Sequence, residues 1–176
     1  MQLRLRVKGY ILTCLLFILS VRVNADTPTI EQISTQQGLS QNTVRCILQD
    51  RKGFLWFGTI NGLNRYDGYQ FVVYKPEPGK KNTLSDNRIK ELYEDKSGFI
   101  WLKTYSNKFS CFNPVTETFV NFPLDDLSTD TTYDGFYQTQ SGNIWLSSLR
   151  NGCIYITYKN GQWDSRTFSS QSHNQQ

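Results

Sequence analysis

One motif recurs along this chain at a nearly fixed interval. Asp50-Arg51-Lys52-Gly53-Phe54-Leu55-Trp56 is echoed by Asp95-Lys96-Ser97-Gly98-Phe99-Ile100-Trp101. It returns, weaker, as Thr139-Gln140-Ser141-Gly142-Asn143-Ile144-Trp145. The three tryptophans are spaced 45 and 44 residues apart. Self-similarity at such a period marks a repeat architecture, whose units cannot bury their apolar faces alone. Any fold for this chain must therefore be a stack of like units.

The first unit reads as four short strands. Thr43 to Gln49 is rich in β-formers. Asp50 to Gly53 has Asp at the first and Gly at the fourth position of a type I turn. Phe54 to Thr59 is continuously apolar, as in a strand buried on both faces. Asn61-Gly62 is a hairpin signal, predicting positive φ at both central positions. Leu63 to Tyr66, the turn Asp67-Gly68, and Tyr69 to Lys75 complete the unit.

The second unit keeps this plan. Leu84-Ser85-Asp86-Asn87 matches Leu39-Ser40-Gln41-Asn42, and Phe109 and Phe112 repeat the spacing of Leu63 and Tyr66. Lys108 stands where Gly62 would fall, which predicts a looser or reshaped turn. The third unit regains Asn151-Gly152, has Thr139 for the turn Asp, and opens with Leu127-Ser128-Thr129-Asp130. The expected fold is all-β: propeller blades, three four-stranded antiparallel repeats in an incomplete ring, since propellers usually have four to eight blades. The expected boundaries are a lead-in strand at 26–38, repeats at 39–83, 84–126 and 127–168, and a polar tail at 169–176.

Residues 1–25 carry Arg4, Arg6 and Lys8, then an apolar stretch from Tyr10 to Ser20, then Val23-Asn24-Ala25. This is the layout of a secretory signal peptide cleaved after Ala25, and its apolar core is too short for a spanning helix. Cys14 is part of that apolar stretch. The segment holds four basic residues and no acidic ones, so the rest has 19 − 4 = 15 Lys and Arg against 15 Asp and Glu. Nothing in a neutral chain points to nucleic acid, and no basic run points to a membrane surface. Cys46, Cys111 and Cys153 lie in apolar strands at spacings that match no zinc pattern, and read as small buried hydrophobes. The single histidine, His173, lies in the polar tail. No metal site, cofactor or catalytic cluster is expected.

Recurrence in every unit assigns Trp56, Trp101 and Trp145 to packing between blades. Asp50 and Asp95 are assigned to hairpin corners, where a carboxylate accepts a backbone N–H. Gly53, Gly98, Gly142, Gly62 and Gly152 belong to the same structural set. The candidate site lies instead on one face, where loops between second and third strands meet the connections between blades. Asn61, Lys103 to Lys108 with Tyr105, and Arg150-Asn151 fall there, beside Glu77 to Arg88 and Asp125 to Thr132. These segments diverge while the strands agree. Asn61, Tyr105, Lys108 and Arg150 are the candidate ligand-binding residues, with Tyr105 suited to stacking on a sugar and Arg150 to holding a carboxylate.

The pattern from Gly38-Leu39-Ser40-Gln41-Asn42-Thr43-Val44 through Asp50, Trp56 and Asn61-Gly62-Leu63 to Asp67-Gly68 resembles the two-component regulator propeller repeat. The resemblance covers residues 30–168 and weakens from the first unit to the third. It implies the periplasmic sensor region of a hybrid two-component histidine kinase, in particular a glycan-responsive one, with Thr29 to Ile33 as the strand that closes the ring. The kinase elements of such receptors have no counterpart here, and the chain reads as a truncated piece of one. The leading expectation is a non-enzymatic sensory or ligand-binding segment, with an oligosaccharide as ligand and further blades or a second chain as partner. Two alternatives stand beside it: a scaffold that completes a ring by self-assembly, and a propeller-type lyase or hydrolase.

Overall fold

The structure is a computed structural model describing residues 30–122, 133–149 and 152–169. The expected signal peptide, Leu127 to Asp130, Arg150, Asn151 and most of the polar tail lie outside the described residues. The chain divides into two units at residues 32 and 33. Of the first unit only Ile30 to Gln32 are described, and they form no strand. After them the described chain makes a 3-10 turn at Thr35–Gln37. Ser34 and Gln37 cap that turn reciprocally, and Gly38 ends it in the left-handed conformation.

Twelve strands follow. The first blade holds β1 (Val44–Gln49), β2 (Leu55–Thr59), β3 (Gly62–Tyr66) and β4 (Phe71–Tyr74). The second holds β5 (Ile89–Glu94), β6 (Ile100–Thr104), β7 (Phe109–Asn113) and β8 (Thr118–Phe122). The third holds β9 (Gly135–Gln138), β10 (Ile144–Ser148), β11 (Gly152–Lys159) and β12 (Gln162–Phe168). Each blade is one antiparallel sheet with its strands in chain order. The all-β blade architecture read from the repeat is the one observed. No α-helix occurs among the described residues, and none of their helices is long and apolar enough to cross a membrane.

Two apolar layers join the blades. Trp56, Leu63, Leu84, Ile89, Ile100, Leu102, Phe112 and Phe119 are buried together between the first and second. Trp101, Phe109, Cys111 and Phe122 pack with Ile144, Leu146, Ile154 and Ile156 between the second and third. Successive strand residues point to opposite faces, so Ile100 and Leu102 serve one layer while Trp101 serves the other. This is why all five residues of β6 are buried. Trp145 of β10 is only half-buried, because no described blade covers its side; it packs on Tyr155 and Phe168 of its own blade.

The corner motif is one hydrogen-bonded device. Asp50 Oδ1 accepts the backbone N–H groups of Lys52 and Phe54 at 2.9 and 3.0 Å. Its Oδ2 accepts the indole N–H of Trp56 at 2.8 Å. Asp95 repeats all three bonds with Ser97, Phe99 and Trp101 at 2.8, 3.0 and 2.9 Å. Thr139 closes the third corner through its hydroxyl and the N–H of Asn143 at 3.0 Å.

The residue after each corner Asp clasps the next blade. Arg51 Nε donates to Glu94 Oε1 at 2.8 Å and its Nη1 to the Lys96 carbonyl at 2.7 Å, while Nη2 reaches the Asp95 carbonyl. Lys96, 45 residues on, donates to the carbonyls of Thr139 and Gln140 at 3.2 and 3.3 Å. Arg51 N–H to Glu94 Oε2 is matched by Lys96 N–H to Gln138 Oε1.

The hairpin between second and third strands differs from the sequence expectation. Gly62 is in the left-handed region with φ 116°, but Asn61 is not; the turn is tipped by Ile60 and Asn61, with Thr59 paired to Gly62. A single left-handed residue therefore suffices. In the second blade that place is taken by Asn107, with φ 56°, not by Lys108. Asn tolerates this conformation better than most side chains. The turn stays closed, with Asn107 N–H on the Thr104 carbonyl at 3.0 Å. One extra loop residue, rather than a loosened turn, distinguishes the second blade.

Candidate functional site

The second-to-third-strand loops and the connection between the first two blades do meet on one face. The Gly62 N–H donates to the Asn87 carbonyl at 2.7 Å, and the Tyr105 N–H to the Arg88 carbonyl at 2.9 Å. The connection from β4 to β5 is thereby pinned to both loops. Asn87 Oδ1 is buried there without a hydrogen-bond partner among the described residues.

Asn61 is held in place by structure rather than left for a ligand. Its N–H donates to Thr59 Oγ1 at 3.0 Å and its side-chain amide to the Ser40 carbonyl at 3.2 Å. Lys108 is exposed, and its backbone N–H donates to Thr104 Oγ1. Arg150 lies outside the described residues. Lys103, expected to begin the loop, is instead the fourth residue of β6 and only 1% exposed. Its ammonium lies 3.9 Å from Glu91 Oε1, at the outer limit of an ion pair, and 3.5 Å from the Asp134 carbonyl.

Tyr105 is half-buried on the loop, and two residues missed from sequence gather on it. The guanidinium groups of Arg45 and Arg88 each lie 5.3 Å from its ring centroid, within cation–π range. Arg88 arrives because it immediately precedes β5. Arg45 arrives through a bulge in β1: Val44 pairs with Thr59 and Cys46 with Gly58, leaving Arg45 unpaired between them. A bulge re-aims the side chain it carries. The same bulge recurs at Lys90 in β5, so a basic residue occupies it in both blades. The signal was present in the sequence as departures from the repeat. At the 45-residue period, Arg88 replaces Thr43 and Tyr105 replaces Ile60.

Two concavities lie elsewhere. One of about 600 Å3 runs along β11 and β12, lined by Tyr155, Lys159, Trp163 and Arg166 among others. Another of about 320 Å3 lies between the corner turns of the first two blades, beside Arg51, Glu94 and Phe99. Neither includes the candidate residues Asn61, Tyr105 or Lys108. No group of three or more metal-ligating side chains occurs among the described residues. Burial pushes the Cys46 thiol up to about 11 and the Cys111 thiol well above its ordinary value, so neither is a ready nucleophile.

Blade sheets joined by apolar layers, with divergent loops gathered on one face, define a β-propeller repeat protein. The model of the two component regulator propeller family matches it over residues 38–61 and 83–106. Histidine kinase P4 of Formosa agariphila is 45% identical over 47 residues, which is 27% of this chain and 3% of that protein. Among solved structures, the extracellular domain of BT3049 from B. thetaiotaomicron, assigned to hybrid two component systems, is 26% identical with a TM-score of 0.62. That match covers 81% of this chain and 20% of the other. The chain thus spans a small part of the proteins it matches.

Proposed function

We propose that this chain is an exported, periplasmic sensory segment of a two-component receptor, non-enzymatic in itself, whose loop face takes part in binding an oligosaccharide. The observation that carries the reading is the family match to the first two blades, together with the likeness to an extracellular receptor domain over most of the chain. Recognition rather than catalysis fits the described residues of the loop face, where the groups brought together on Tyr105 are two guanidiniums and a phenol. An aromatic ring beside hydrogen-bond donors is a common means of holding a polar ligand with an apolar face.

Thermal shift of the full chain against a panel of oligosaccharides tests this. At least one should raise the melting temperature, and Tyr105→Ala should remove the rise without lowering the melting temperature of the free chain by as much as a core substitution does. A panel without any shift, or a shift indifferent to Tyr105, overturns the reading.

A further inference from the structure

We propose that Arg45 and Arg88, assembled on Tyr105, form an oxyanion-binding pair on the loop face, and that the carboxylate or sulfate they hold is carried by an oligosaccharide. The second half rests on the functional reading above; the first stands on geometry alone.

The two guanidiniums are both 5.3 Å from one ring centroid. They are therefore no more than 5.3 + 5.3 = 10.6 Å apart. Like charges so placed repel, and the ring offsets only part of that. Two other arginines are paired with carboxylates: Arg51 with Glu94 and Arg65 with Glu117. Among the described residues, no carboxylate pairs with Arg45 or Arg88. Asp86 and Glu91 make other contacts instead. Asp86 Oδ1 accepts the backbone N–H of Arg88 at 3.0 Å. Glu91 is shared by the Tyr93 hydroxyl, Lys90 and Lys103.

Nor do Arg88 and Tyr105 serve the repeat. Ile60 and Leu149 occupy the positions of Tyr105 in the other two blades, 45 and 44 residues away. Thr43 occupies that of Arg88 in the first. The fold is thus built at these positions without aromatic or basic side chains. Arg45 and Arg88 are exposed, and the ring they share is half-buried. A guanidinium carries its N–H donors in a planar fork that suits bidentate carboxylate and sulfate recognition.

The test uses the full chain, 15N-labelled, observed at the Nε–H signals of Arg45 and Arg88, with each signal assigned from its own substitution. Three probes are titrated: inorganic sulfate, trigalacturonate and its neutral galactose counterpart. Sulfate and trigalacturonate should move both signals, with dissociation constants of about 1 mM or tighter, and weaken as salt is added. Arg45→Gln with Arg88→Gln should weaken trigalacturonate about tenfold or more, with the melting temperature unchanged. Shifts with sulfate but with neither oligosaccharide uphold the pair and overturn the glycan reading. Neutral oligosaccharide bound equally well by the doubly substituted chain upholds the glycan reading and overturns the pair. Signals unmoved by either anion up to about 10 mM, ten times that constant, also overturn the pair.

Discussion

The indole N–H of Trp56 donates to Asp50 Oδ2 across six residues of chain, and Trp101 does the same to Asp95. The recurring motif is therefore a single object rather than a turn followed by a core residue. The carboxylate closes the corner with one oxygen and steers the tryptophan into the blade interface with the other. An indole N–H needs a partner when its ring is buried, and both rings are fully buried. Replacing Asp50 by Ala leaves two backbone N–H groups and one buried indole N–H without that acceptor. Asp50→Ala should lower the unfolding free energy by about 3 kcal/mol and Asp50→Asn by about 1–2 kcal/mol, read from urea denaturation. Equal losses for the two would show that the paired acceptors do not set the effect.

The repeat made the blades legible because a 45-residue period leaves few other folds open, and every strand lies close to its expected place. The bond joining Trp56 to Asp50 is not visible in the sequence, since spacing alone does not show which oxygen faces which donor. The site was less legible for a physical reason. Asn61 is a candidate by its place on the loop face, and its amide is used on the Ser40 carbonyl. Arg45 looked like an ordinary strand residue because a bulge has no residue signature of its own here. Arg88 lies at the end of the connection expected on this face, with only its departure from the repeat to single it out.

Arg51 is a test of how neighbouring blades are held in register. Its guanidinium reaches a carboxylate and two carbonyls on the second blade. The side chain is half exposed, so solvent screens the ion pair and the pair alone is worth little. Arg51→Ala should cost about 1 kcal/mol. Arg51→Lys should recover less than half of it, because one ammonium cannot reproduce a fork with three acceptors. Full recovery by lysine would reduce the clasp to charge alone.

Gly58 of β2 lies close against Ile89 of the second blade. A Cβ there would lie 2.4 Å from Cys46 Sγ and 2.7 Å from Ile89 Cγ2. Gly58→Ala should therefore destabilise by about 1–3 kcal/mol through overpacking. Cys46→Ala removes the nearer of the two clashing atoms. The double substitution should accordingly cost less than the sum of the single ones, a coupling of about 0.5 kcal/mol or more. Simple additivity would place the strain at Ile89 instead.

Alkaline pH should unfold this chain earlier than its content of hydrogen bonds suggests. Burial pushes the phenols of Tyr74, Tyr93 and Tyr133 up to about 12 from an ordinary 10.0, and the Cys46 thiol to about 11 from 9.0. For Tyr93 the Glu91 carboxylate adds to the effect. The folded chain keeps these protons where the unfolded chain releases them. Their contribution to stability is therefore complete below about pH 9, the lower of the ordinary values, and is lost as pH rises toward 11 and 12. Tyr133 is the cleanest probe, since burial is the sole cause of its shift and the side chain is 2% exposed. Urea midpoints measured across this window should fall steadily for the wild type and less steeply for Tyr133→Phe. Parallel slopes for the two would mean that the Tyr133 phenol ionises in the folded chain as readily as in the unfolded one.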